Sequence, residues 1–311
     1  MSHIFRMIVD ILLLSSCSHN PQYLPGSVTP FDVYGIVGGG DADSFAASSS
    51  YVASVLTSTA EVQEDIKAKR FLVTVLGDTG PLLARAADQS WPTASIAKLM
   101  SAVIVAEHLD CSHLVAMTTK AIATEGESGQ FVPQEQFLVY DLLRAMLIAS
   151  SNDAAEALAL YANRETFVRR MNEKARELGM DHTTFVDPSG LSDKNRSTPE
   201  DLLTLIAFIY AKHADLLAIT RLSSVRICDV QFGHRKQLLS TNEFTRTAST
   251  ASDVRRVEFI GGKTGYTASA IGNLVSLFSV HGYTIAIVVM GSTDRFGDTR
   301  RLLARAAPRF R

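Results

Sequence analysis

Apolar and polar positions change period twice along the chain. The run RFLVTVLG, Arg70 to Gly77, is rich in β-branched and aromatic residues. Asp78–Gly80 supplies a turn and PLLARA follows, which predicts a two-stranded hairpin. The period then becomes helical. Ser95–Leu109 reads as an apolar helix with Thr93 as its N-cap. Val139–Ser150, Asp153–Ala162 and Glu165–Leu178 follow, the last closed by Gly179 where a left-handed cap is favoured. In STPEDLLTLIAFIYAKH, Thr198 is placed as N-cap, Pro199 at the first helical position and acids in the first turn. The C-terminal part returns to β with VEFIGGKTG, IGNLVSLFSV and YTIAIVVMG, the last two joined at His281–Gly282, before DTRRLLARAA as a closing helix. Strands at both ends around a helical middle predict an α/β (α+β) fold. One antiparallel sheet is assembled from both ends, helices flank it, and an all-helical lobe is inserted.

The stretch before residue 51 breaks these periods. Residues 1–17 hold one arginine, a short apolar run interrupted by Asp10, and LSSC at Leu14–Cys17. That run is too short to span a bilayer and reads as a secretory signal. LSSC also resembles a bacterial lipobox, in which Cys17 becomes the lipid-bearing residue. Residues 18–50, rich in Ser, Gly, Asp and Pro, read as a flexible tether, with the folded domain at 51–311. The expected location is extracytoplasmic, periplasmic or at the cell surface, with a membrane surface reached through Cys17.

Composition narrows the function further. Apolar residues make up 46% of 311 and charged ones 20%, with net charge −2, as in ordinary globular proteins. With no basic stripe or block, nucleic acid is not an expected partner. Cys17, Cys111 and Cys228 have no zinc spacing, and His108 and His113 flank Cys111 without recurrent ligand geometry. No metal or cofactor is expected. Whether Cys111 and Cys228 pair is left open.

Three short motifs carry chemistry. Ser95 and Lys98 lie three apart on a helix, so they share a face. A lysine held uncharged by burial can take the proton of a serine hydroxyl and make it a nucleophile. Ser150-Ser151-Asn152 falls in the loop between two helices, and Lys263-Thr264-Gly265 near the end of a predicted strand. A KTG triplet arises by chance in about one chain in fifteen of this size. Singly, each residue has an ordinary explanation. Ser95 suits a helix N-terminus, Lys98 can snorkel to solvent, Asn152 and Asp153 can cap a helix, and Lys263 suits a strand edge. Their common order argues otherwise.

This ordered set resembles the serine D-alanyl-D-alanine carboxypeptidases, low-molecular-mass penicillin-binding proteins with a β-lactamase/transpeptidase-like fold. PTASIAKLM, DLLRAMLIASSNDAAEALA, ARELGMDHTTFVDPSGLSDKNRST, TNEF and GGKTGYT carry the likeness over about residues 70–295. The resemblance implies that Ser95 attacks the bond between two D-alanines of a peptidoglycan stem peptide, with Lys98 as base. It implies that Ser150 relays a proton and that Asn152 orients Lys98 and the substrate. Lys263 and Thr264 would meet the terminal carboxylate, and Gly265 would let substrate lie close. The backbone N–H groups of Ser95 and Tyr266 would form the oxyanion hole. β-Lactams would acylate the same serine. The family's Ala-Gly after KTGYT is here Ala270-Ile271, with glycine one place later at Gly272. An endopeptidase acting on cross-links, a β-lactamase and a non-catalytic penicillin-binding sensor are the alternatives. The downstream ExxLN-type glutamate of one lactamase class is absent.

Overall fold

The computed structural model describes residues 65–78, 80–126, 129–246 and 257–310. The expected signal at 1–17 with Cys17, the tether at 18–50 and the start of the domain at 51 lie outside them. The fold described here is that of Lys67–Arg311, which groups as a single unit. It begins with β1 (Arg70–Val75), β2 (Leu83–Arg85), the short β3 (Trp91–Pro92) and helix α1 (Ala97–His108). The middle holds β4 (Leu114–Ala116), α2 (Thr119–Ile122), β5 (Gln136–Leu138), α3 (Val139–Ile148), α4 (Asn152–Tyr161) and α5 (Arg164–Glu177). Then come β6 (Arg196–Ser197), α6 (Pro199–Lys212), α7 (Ala214–Thr220), β7 (Ser224–Cys228) and β8 (Arg235–Leu239). The last elements are β9 (Val257–Thr267), β10 (Ile271–Val280), β11 (Tyr283–Ser292) and α8 (Arg295–Ala306).

The five-stranded sheet has the order β2-β1-β11-β10-β9, and every pairing in it is antiparallel. The expectation of one sheet drawn from both ends of the chain therefore holds. β11 is buried continuously from Ile285 to Ser292, so both of its faces are covered, and α6 and α8 pack against it. His281 and Gly282 both take positive φ (51° and 88°), the conformation a two-residue hairpin requires. The inserted lobe is largely helical and also carries two short ladders, β4–β5 and β7–β8. Its centre is α1, buried from Ala97 through Val105. Cys111 is a free thiol, so the pairing with Cys228 that the sequence leaves open is not formed.

One expected helix start differs. Ser95 lies in a 3-10 turn, Ala94–Ile96, ahead of the α-helix, and the Thr93 side chain makes no capping bond. Its hydroxyl bonds to the Asn195 carbonyl instead (3.3 Å). The cause is Ala94, whose φ of +47° bends the chain just before the serine. A non-glycine residue in that region is strained, and such strain persists only where the surroundings enforce it. Gly190 supplies the enforcement. A β-carbon there would stand 1.9 Å from the Ala94 carbonyl oxygen, so the two backbones touch.

Candidate active site

Short-range packing delivers Ser95. β3 pairs with β6, Trp91 opposite Ser197, and the Thr93 N–H donates to the Asn195 carbonyl at 2.8 Å. Ser95 Oγ then lies 2.9 Å from Lys98 Nζ. Lys98 is fully buried, in a helix turn that also buries Leu99 and Met100. An ammonium there without partners would cost several kcal/mol. Two further oxygens lie 2.6 Å from Nζ: Asn152 Oδ1 and the Ser189 carbonyl. Both can only accept, whereas the serine hydroxyl can also donate. A neutral amine has two N–H donors and one lone pair. Given to the two carbonyl-type oxygens, the donors leave the lone pair for the Ser95 hydroxyl.

Asn152 opens α4. Ser151 caps that helix, accepting from the Ala154 N–H (3.2 Å), so the Asn152 side chain is free for Lys98. Its Nδ2 donates to the Glu125 carbonyl (2.7 Å), which fixes the amide's orientation. Ser150 takes φ +60° and turns its hydroxyl toward Lys263, whose Nζ lies 2.8 Å away. Lys263 is buried on β9 and also donates to the Thr264 carbonyl (2.9 Å).

The Ser189 carbonyl is held by an Asp187-centred loop. The Asp187 carboxylate accepts from the N–H groups of Ser189, Gly190 and Ser192, from the Ser189 hydroxyl and from Asn195 Nδ2, all within 2.9 Å. Burial pushes this carboxyl's pKa up. The hydrogen bonds from Ser192, Ser189 and Gly190 outweigh that and hold it below the usual range.

These groups line a cleft of about 640 Å³ that includes Ser95, Ser150, Asn152, Thr264, Gly265 and Tyr266. All the residues expected from the motifs except Lys98 and Lys263 line it directly, and those two buried lysines touch it through Ser95 and Ser150. Tyr266 is 69% exposed at the mouth. Gly265 has a different partner from the one expected. A β-carbon there would meet the Thr93 carbonyl at 2.9 Å and the Ala94 methyl at 3.2 Å, so the close approach is between β9 and the serine turn.

The motifs alone miss several neighbours. Thr241 Oγ1 lies 2.7 Å from Thr264 Oγ1. Arg295 donates to the Gly265 carbonyl (2.9 Å), and its burial lowers its pKa. Arg246 also lines the cleft, and no Asp or Glu does so among the described residues. The charged side chains among the described lining residues are arginines, which suits an anionic substrate. Thr241 was marked only by the TNEF segment, and no local pattern marks the two arginines.

One cluster away from the cleft has metal-ligand residue types: Glu135, Asp229 and His234 lie within 4.8 Å of one another. Lys236 Nζ already sits 2.9 Å from Glu135 Oε1, and Asp229 accepts backbone N–H groups of Gln136, Gln231 and Phe232. The cluster ties the β7–β8 turn to the 130–136 loop.

Comparison with known proteins agrees with this geometry. Residues 57–294 match the family described as D-alanyl-D-alanine carboxypeptidase. A D-alanyl-D-alanine endopeptidase of Haemophilus influenzae is 33% identical over 220 residues, 68% of this chain and 72% of that protein. The D-alanyl-D-alanine carboxypeptidase DacC of Escherichia coli is 30% identical over 72% of this chain and 58% of its own length. The crystal structure of penicillin-binding protein D2 from Listeria monocytogenes, in its ampicillin-bound form, superposes with a TM-score of 0.66 at 28% identity, covering 78% of this chain and 98% of that one. The serine–lysine–asparagine cluster against the KTG strand, and a match over most of the length, lead to one conclusion: the chain belongs to the D-alanyl-D-alanine carboxypeptidase family, the serine DD-peptidases.

Proposed function

We propose that this protein hydrolyses the terminal D-alanyl-D-alanine bond of peptidoglycan stem peptides through an acyl-enzyme on Ser95. One observation carries the reading. The Lys98 amine is buried beside two oxygens that only accept and beside the Ser95 hydroxyl, which can give it a proton. In the scheme, Ser95 Oγ attacks the carbonyl while its proton passes to Lys98 Nζ. The backbone N–H groups of Ser95 and Tyr266 receive the oxyanion. The leaving amine takes a proton through Ser150, which bridges toward Lys263. Thr264 and Arg295 face the leaving residue's carboxylate, with the Lys263 cation behind Ser150, where fixed cations and a hydroxyl suit an anion. Water then cleaves the ester, and Lys98 returns to its starting state. No metal or cofactor enters the scheme. β-Lactams, bound by the Listeria relative, present the same acylating carbonyl to Ser95.

A second reading, cleavage of D-alanyl cross-links, is favoured by the endopeptidase relative, which shares more of its length with this chain than the carboxypeptidase relative does. Fluorescent penicillin should label the wild type and not Ser95→Ala. In Lys98→Arg, whose guanidinium cannot give up a proton, acylation should slow by about a thousand-fold. Labelling of Ser95→Ala at the wild-type rate would remove Ser95 from its role. Release of D-alanine from a pentapeptide, against conversion of cross-linked dimers to monomers, separates the two readings. For the chain before the fold, the proposal is that residues 1–17 direct export, that Cys17 carries lipid, and that 18–50 tether a domain starting near 51. Palmitate incorporation lost in Cys17→Ala tests the anchor.

A further inference from the structure

The cleft is longer than a single alanine needs. In the mechanism above, the leaving residue's carboxylate lies at Thr264. Thr264 is bonded to Thr241, and the cleft wall continues from Thr241 through Ser240 to Leu239 and Arg246. Leu239, at the end of β8, is 60% exposed and faces this cavity. Arg246 is fastened to the same wall, Nη2 donating to the Ser240 carbonyl at 2.8 Å. It has no acidic partner among the described residues. Nearby arginines do: Arg300 pairs with Glu243, Arg301 with Asp294 and Asp298, and Arg221 with Glu258.

A departing D-alanine carries one carboxylate, one amine and a methyl. Lys263, Thr264 and Arg295 already answer its charge, and a methyl does not extend to a further wall. An exposed leucine followed by an arginine with no acidic partner among the described residues asks for more. The fitting chemistry is an aliphatic chain of a few methylenes ending in a second carboxylate. A diamino dicarboxylic acid has that shape when its amine is the one acylated by D-alanine in a peptide cross-link. We propose that Leu239 and Arg246 form a leaving-group subsite for the acceptor half of a cross-linked stem peptide, its distal carboxylate paired with Arg246. This rests on the reading of Ser95 as nucleophile and Thr264 as the near carboxylate contact. It makes Arg246 a specificity residue for cross-link cleavage. The bond broken is the same D-alanyl amide, and the amine that departs belongs to the second stem.

The test compares two substrates in the full chain. One is a purified cross-linked dimer whose acceptor stem ends at the diamino diacid; the other is an uncross-linked pentapeptide. An exposed charge-assisted pair is worth about a five-fold change. Arg246→Ala is expected to lower the ratio of dimer cleavage to D-alanine release about five-fold. Arg246→Glu should lower it further and Arg246→Lys less, while Leu239→Ser should lower it without changing salt dependence. Amidating the distal carboxylate of the dimer should reproduce the Arg246→Ala effect in the wild type, and the two changes should not add. Fluorescent-penicillin labelling of each variant reports separately on an intact serine site. If wild type and variants label normally but the ratio does not move, the subsite is wrong and the serine reading stands. If wild type labels and releases D-alanine yet leaves the dimer intact, the subsite is likewise overturned. If wild type fails to label, the serine reading falls, and this proposal with it.

Discussion

Ile271 shows how much one side chain can be asked to tolerate. Its φ is +57°, left-handed backbone that a β-branched residue adopts at a cost of about 1–2 kcal/mol. This is the place where the related pattern has glycine, and Gly272 beside it cannot take over. A β-carbon at 272 would stand 2.5 Å from the Ser292 carbonyl, so that glycine serves the β10–β11 contact. Ile271→Gly would relieve the strain, free the unfolded chain by about 0.5–1 kcal/mol, and lose the contacts of a half-buried side chain. These nearly cancel. The variant is expected within about 1 kcal/mol of wild type in urea titration, against the 2–5 kcal/mol usual for truncating a buried isoleucine. A loss above that lower figure would show that Ile271 is held by packing rather than merely tolerated. The residues that bear chemistry by type, Ser95, Lys98, Asn152 and Lys263, were legible in the sequence because few other arrangements explain them in one order. The Ser189 carbonyl was not, since every residue has one. Arg246 and Arg295 were not, since an arginine's place in the cleft depends on which strand ends lie beside it.

At the scale of elements, the periodic helices and the three C-terminal strands were legible, while two irregular pieces were decided by contacts across the chain. The serine turn departs from a capped helix because Gly190 presses on Ala94, and the 187–192 loop keeps its shape through Asp187. Asp187→Ala would strand several buried donors at once, for a loss of at least about 3 kcal/mol. Its penicillin acylation should slow as well, because the Ser189 carbonyl that positions Lys98 loses its support; unchanged acylation in a destabilised variant would separate the loop from the site. Asp187 and Asp153 have opposite signs in pH. With its carboxyl held low, Asp187 contributes stability that is present above the ordinary carboxylate pKa and is lost as pH falls toward its folded value. Asp153, fully buried near the start of α4 with no hydrogen-bond partner for either oxygen among the described residues, is pushed up to about 6 by desolvation. The folded state therefore binds the extra proton, and stability falls as pH rises from about 4 through 6. The shift corresponds to about 2–3 kcal/mol. Asp153→Asn should match wild type near pH 4 and exceed it by up to that amount at pH 8 in urea melts. Equal stability at both pH values would mean that Asp153 finds a partner in solution.

At the scale of the whole molecule, the sheet's origin in both chain ends could be read from periodicity, but the placement of β1 between β2 and β11 could not. Strand order depends on which strands distant in sequence pair, here β1 with β11, and that is a property of the assembled sheet. The order has a physical consequence. Arg70 pairs with Met290 and Val75 with Ile285, so the first strand closes only after the last has formed. The lobe between them supplies Asn152 to a site whose other wall is β9. Neither part keeps its core or its cleft alone, and the folded unit should melt in one step. The sequence offers a reporter for each part. Trp91 is the single tryptophan and sits at the sheet, its Nε1 donating to the Ala270 carbonyl (2.8 Å), Arg70 stacked 4.4 Å from its ring. Far-ultraviolet circular dichroism reports chiefly the helices of the lobe. In urea, tryptophan fluorescence and circular dichroism should give the same midpoint and the same slope. Acylation of Ser95 by ampicillin should move both midpoints by the same increment, because the bound group touches residues of sheet and lobe together. A helical signal that outlasts the tryptophan transition, or an acyl-enzyme that shifts one probe alone, would show that the lobe folds by itself and that the cleft is an interface between separable parts.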